Sequence, residues 1–173
     1  MNMLHLLRHA KSSAKEEIED HERGLSRRGR EAARHVGKYL SATIGTFDLI
    51  LCSSARRTRE TLELVVTEFS PQPRCMIEGG LYLAGRERLI ERLRRLDARD
   101  ASVLLIGHNP GLHELALGLA DKGSPGFDEL AAGKFPTAAY ASFNVPADWS
   151  TLGYSRHPLI IYVTPRSLSE GQA

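Results

Sequence analysis

Residues 102–119 read SVLLIGHNPGLHELALGL, and their pattern points to a fold class. Ser102–Ile106 is a short, unbroken apolar run. Such a run suits a strand covered on both faces rather than on one. The turn formers follow in Gly107-His108-Asn109-Pro110-Gly111. Asn109 is suited to an N-cap and Pro110 to a first helical position. Leu112, Leu115, Ala116 and Leu119 then recur at helical spacing. A buried strand feeding an amphipathic helix is one βα unit of a covered sheet.

The same alternation extends in both directions. Met3–Leu7 reads as a strand, and Lys11–Gly24 as a charged loop with at most a short helical turn. Ser26 can cap a helix reaching about Thr43, with Ala32, Ala33, Val36 and Leu40 on one face. Phe47–Cys52 is a second strand. Ser53 or Ser54 then caps a helix whose stripe is Leu62, Val65, Val66 and Phe69, ended by Pro71 and Pro73. Cys75–Ile77 is a short strand and Arg86–Leu96 a helix. Beyond residue 119 there is a Gly-rich, charged stretch with a short helix around Phe127–Ala131. Ala139–Val145 and Leu159–Val163 are the last strands. The order βαβαβαβαββ predicts an α/β fold, an open three-layer α/β/α sandwich with a mostly parallel central sheet. One domain is expected over residues 1–168, with 169–173 as a loose tail.

Composition narrows the function classes. The 173 residues are 42% hydrophobic and 25% charged, with a net charge of +2. That balance is ordinary for a soluble globular protein and too weak for bulk attraction to nucleic acid. No apolar run approaches the roughly 20 residues that span a bilayer. The first residues carry no secretory pattern. Cys52 and Cys75 lie in no metal-ligand or CxxC spacing. We therefore expect a cytoplasmic, monomeric protein with reduced thiols, and no nucleic-acid or membrane partner.

Ligands of such sheets bind beyond the carboxyl ends of the strands. Arg8 and His9 follow the first strand. Arg56 and Arg57 open the helix after the second. His108 follows Ser102–Ile106. Any one of these reads as an ordinary strand-end or surface residue. Three strands delivering cationic or protonatable groups to one sheet edge imply an anion site. Arginine offers forked donors to phosphate oxygens, and the turn at Asn109–Gly111 adds positive potential. A neutral imidazole there is a nucleophile aimed at phosphorus. No nucleophile elbow, phosphate-binding Gly-rich loop or metal motif occurs.

These residues carry a resemblance. LLRHAKSS resembles the RHG signature of the histidine phosphatase superfamily. CSSARRTRETLE is similar to its second arginine motif and LLIGHNPGLHELA to its second histidine motif. LSRRGREAA and FPTAAYASFNV match more weakly. The motifs run in order from Met3 to about Leu168, and RHAKS, EDHERGLSRRG and GHNPG are most similar to the SixA-like phosphohistidine phosphatases. The resemblance implies a phosphoglycerate mutase-like fold and a phosphatase that forms a phosphohistidine intermediate. His9 would take the phosphoryl group, while Arg8, Arg57 and a protonated His108 hold its oxygens, with Asn109 also at the phosphate. Asp20 and Arg23 are possible pocket residues. No metal or other cofactor is implied. The partner would be a phosphorylated protein of a phosphorelay or phosphotransfer kind. Alternatives are a broad small-molecule phosphomonoesterase or a weakly active phospho-dependent binding module.

Two departures stand out. Ala10 occupies the usual glycine position, so the turn there cannot require positive φ. Arg57 and His108 are only 51 positions apart, which leaves little room for the inserted lid and acid of mutase-like relatives. Glu78 and Glu87 fall in that gap and read as surface carboxylates. A site without an acid suits a good leaving group such as imidazole.

Overall fold

The computed structural model describes residues 1–14 and 17–171. The strands are β1 (Asn2–Arg8), β2 (Leu49–Ser53), β3 (Arg74–Glu78), β4 (Ser102–Gly107), β5 (Tyr140–Val145) and β6 (Leu159–Val163). The helices are α1 (Arg27–Thr43), α2 (Arg56–Val66), α3 (Arg86–Arg94), α4 (Gly111–Leu119), α5 (Phe127–Ala132) and α6 (Pro165–Ser169). The sheet order is β3-β2-β4-β1-β5-β6. The first four strands are mutually parallel, and β5 runs antiparallel to both β1 and β6.

Period-two side-chain alternation divides the core between the two faces. Leu4 and Leu6 of β1, Leu49 and Leu51 of β2, and Val103 and Leu105 of β4 pack under α3, α4 and α5. Leu7, Ile50, Cys52, Leu104 and Ile106 pack against Val36 and Leu40 of α1, Leu62 and Val65 of α2, and Leu168 of α6. The expected three-layer α/β/α sandwich is observed, and α2, β3 and α3 fill the chain between Arg57 and His108 without an inserted lid subdomain.

Helix starts follow local chemistry, with two corrections. Ser26 caps α1 as expected, its Oγ accepting from the Gly29 amide at 3.0 Å. Neither Ser53 nor Ser54 caps α2; Ala55 holds the cap position without a side-chain bond. Both hydroxyls are instead engaged by imidazoles, Ser53 by His108 and Ser54 by His21. Asn109 does not cap α4 either. Pro110 takes that position, and the Asn109 amide reaches across to the carbonyls of Lys134 and Phe135. A helix absent from the sequence reading follows β6: Thr164 and Ser167 form a reciprocal capping box for α6. Residues 172–173 of the expected tail lie outside the described residues.

Candidate active site

Strand register brings the three motifs together. Leu7 pairs with Ile106, and Ile106 pairs with Cys52, so β1, β4 and β2 end at one level. Arg8 and His9, His108, and the Ser53–Arg57 turn leave the sheet side by side. β4 lies between the other two, which places His108 centrally. Two close backbone approaches hold the surrounding turns. A Cβ on Gly29 would sit 2.0 Å from the Lys11 carbonyl oxygen, and one on Gly111 would sit 2.0 Å from that of Ala84. Only glycine lets α1 and α4 start so near these turns.

A cavity of about 290 Å³ opens at this edge, lined by Arg8, His9 and Lys11, by Arg23, Arg57 and His108, and by Ser12, Leu83, Asn109 and Thr137. A larger cavity between β3 and α3 has its central Arg92 already paired to Glu78 through two bonds of 2.7 and 2.8 Å. The smaller cavity differs in what it leaves unpaired. Arg8 Nε, Arg57 Nε, His108 Nδ1 and Asn109 Oδ1 are buried there without a hydrogen-bond partner among the described residues. Unpaired buried polar atoms are costly and rare, so their concentration here makes this cavity the candidate site.

His9 is 6% exposed, and its Nδ1 lies 2.7 Å from the Ala10 carbonyl oxygen. A carbonyl only accepts, so Nδ1 carries the proton and Nε2 carries the lone pair. Burial is the main reason the His9 imidazole is pushed down to about 3, with the charges of Arg8 and Arg57 acting in the same direction. The ring of His108 lies 5.3 Å from that of His9, and its Nε2 is 2.7 Å from Ser53 Oγ. Burial and the charge of Arg57 push His108 down to about 4. With only protein charges around it, His108 is therefore neutral at pH 7, whereas the sequence reading made it an imidazolium. The protonated form needs an anion beside it.

Arg57 is 3% exposed, whereas Arg56 points outward to Glu60 at 3.4 Å. Arg57 Nη1 donates to the Asp20 carbonyl at 2.8 Å and Nη2 to its carboxylate at 3.0 Å. The Asp20 carboxylate also accepts from Arg23 at 2.7 Å and from the Tyr82 hydroxyl. These bonds hold it well below the usual carboxylate range. Arg23 lines the cavity and donates to Ser12 Oγ. Asp20 reaches the cavity only through Arg57 and Arg23. Glu78 is taken by Arg92 and Glu87 lies beside Arg86 at the surface, so neither carboxylate lines the cavity.

Sequence reasoning matched FPTAAYASFNV weakly but gave the segment before β5 no part in the site. Because β5 is antiparallel to β1, its start meets the end of β1. The Ala138 amide donates to the carbonyls of Arg8 and His9 at 3.1 and 3.0 Å. The Phe135 carbonyl accepts from Arg8 and Asn109. Phe135 and Ala138 have φ of 49° and 61°, and Leu83 on the cavity wall has 51°. These are the non-glycine residues in the left-handed region among those described, and all three adjoin the cavity. Strain of this kind collects at functional sites. Tyr82, whose ring lies 5.5 Å from that of His108, was also missed.

Ala10 is accommodated as expected, since its φ is not positive. Its methyl is fully buried with Leu25, Ala33 and Ala138, and its amide donates to Thr61 Oγ1 at 3.0 Å. Among the described residues, no three His, Cys, Asp or Glu side chains gather as a metal site. No described helix is long and apolar enough to cross a membrane.

Comparison with known proteins agrees with this geometry. Residues 4–78 match the profile of the histidine phosphatase superfamily (branch 1). An uncharacterized protein of Mycobacterium tuberculosis is 33% identical over 164 residues, covering 92% of this chain and 100% of its own. The chain belongs to the histidine phosphatase superfamily. Within that superfamily its likeness is SixA-like. A structure described as a candidate phosphohistidine phosphatase SixA from Nakamurella multipartitia superposes with a TM-score of 0.82 at 26% identity, covering 95% of this chain and 96% of that one. A second so described, from Agrobacterium tumefaciens, gives 0.77 at 27% identity and coverages of 95% and 98%. Membership of this histidine phosphatase superfamily supports phosphatase activity for the chain.

Proposed function

We propose that the chain removes phosphoryl groups from phosphohistidine in a protein partner, using His9 Nε2 as the nucleophile. The observation that carries this reading is the 2.7 Å bond from His9 Nδ1 to the Ala10 carbonyl. It fixes the tautomer and leaves the Nε2 lone pair available for attack, in a pocket where the buried Nε donors of Arg8 and Arg57 have no partner among the described residues.

In the first step Nε2 bonds to phosphorus as the P–N bond to the carrier breaks, and the carrier imidazole, already protonated on its other ring nitrogen, leaves as the neutral base. Arg8 and Arg57 hold the phosphoryl oxygens, and the arriving dianion raises the proton affinity of His108. Asn109 completes the wall. In the second step water attacks phosphorus, the P–Nε2 bond breaks, His9 regains its Nε2 lone pair with Nδ1 still protonated, and dihydrogen phosphate departs carrying both of the water's protons. Imidazole leaves readily, which suits a cavity that no carboxylate lines among the described residues. The likeness to proteins described as SixA phosphohistidine phosphatases supports the same substrate class.

The test is a turnover panel of phosphohistidine protein and alkyl phosphates with wild type and His9→Ala. Wild type is expected to favour the phosphohistidine protein, and His9→Ala to be inactive on every substrate. A strong preference for alkyl phosphates overturns the substrate class. An active His9→Ala enzyme overturns the nucleophile.

A further inference from the structure

Cations and polar groups make up the cavity wall, with one exception among the lining residues, Leu83. This side chain is 54% exposed. Its φ of 51° is one that glycine or asparagine adopts at least cost. The fold nevertheless presents a leucine here, and presents it rigidly. Leu81 and Ala84 on either side are 2% and 7% exposed. Tyr82 is tied to Asp20, and the start of α4 presses on the Ala84 carbonyl. A strained, exposed apolar side chain on a fixed turn at a ligand cavity is placed for contact with what binds there.

His9 is buried, so a phosphoryl group must enter the cavity to reach it, and the carrier is brought against the rim. We infer that Leu83 is a specificity-determining contact that selects carriers with apolar surface beside the phosphorylated side chain. This inference rests on the phosphohistidine-protein reading above. Covering the exposed part of one leucine is worth about tenfold in kcat/KM.

The experiment uses two synthetic phosphohistidine peptides that differ only in leucine or serine flanking the phosphorylated residue, with phosphoramidate as a carrier-free control. Leu83→Asn is the variant, because asparagine tolerates the left-handed backbone and removes the apolar contact. Wild type is expected to prefer the leucine-flanked peptide by about tenfold in kcat/KM, and Leu83→Asn to lose that preference. Retention of the preference in Leu83→Asn, or its absence in wild type, overturns the inference and leaves the substrate class standing. Wild type that hydrolyses phosphoramidate but neither peptide overturns the substrate class and the inference with it.

Discussion

Arg57 gives Asp20 two hydrogen bonds, one to its backbone carbonyl and one to its carboxylate. Its Nε is left buried beside the cavity without a partner among the described residues. Asp20 thus anchors the guanidinium and also competes, as an anion, for its charge. The two roles predict opposite effects. Asp20→Asn removes the competing charge and is expected to bind product phosphate several-fold more tightly. Asp20→Ala keeps the bond to the backbone carbonyl but removes the side-chain anchor as well as the charge, and is expected to lose roughly tenfold in kcat, about the worth of one charged hydrogen bond. Phosphate inhibition constants and kcat for both variants check this. Values matching wild type in both would remove Asp20 from the account.

Neighbouring arginines are expected to behave differently. Arg57→Lys keeps a charge but loses the planar fork, with an expected loss of about a hundredfold in kcat/KM and little change in thermal stability. Arg56 is paired with Glu60 at the surface, so Arg56→Ala is expected to stay within about twofold of wild type. Equal losses in the two variants would contradict the assignment of Arg57 over Arg56.

The strands, helices α1 to α5 and four converging residues were legible because they follow local periodicity and one topological rule. Arg8 ends a parallel strand, and His9, Arg57 and His108 follow parallel strands, where α/β sheets bind ligands. That rule is blind to an antiparallel strand, whose start meets the same edge. The Phe135 and Ala138 contacts were missed for this reason. Capping also misled. Ser53, Ser54 and Asn109 are good cap residues by type, but each is held by a tertiary partner that local sequence does not reveal. Tyr82 and Leu83 sit in a turn after the edge strand β3, with no periodicity to single them out.

Acid is expected to weaken the fold through His5. This buried imidazole lies 2.6 Å from the Tyr140 hydroxyl and 3.1 Å from Ser102 Oγ. Burial pushes it down to about 4 from the ordinary 6.5. A histidine depressed in the fold binds its proton more readily when unfolded. Its contribution is therefore fully present above pH 6.5 and is lost as pH falls towards 4, by about 3 kcal/mol. Urea unfolding at pH 7.5 and 4.5 should show His5→Gln losing less stability than wild type between the two. Parallel losses would contradict the link.

Ala10 is expected to serve packing. Ala10→Gly removes one buried methyl and frees the backbone, for a loss of about 1 kcal/mol with kcat retained. Ala10→Val crowds Leu25, Ala33 and Ala138 and is expected to destabilise more. Thermal unfolding alongside kcat measures both. A large drop in kcat for Ala10→Gly at intact stability would instead give the methyl a part in placing His9.

The central claim is that His9 carries the phosphoryl group, and trapping tests it most directly. Enzyme mixed with radiolabelled phosphoramidate is quenched in alkali within milliseconds, digested and mapped. The account predicts an acid-labile, alkali-stable label on the peptide containing His9, and none in His9→Ala. An acid-stable label on a serine, or label persisting in His9→Ala, would contradict it.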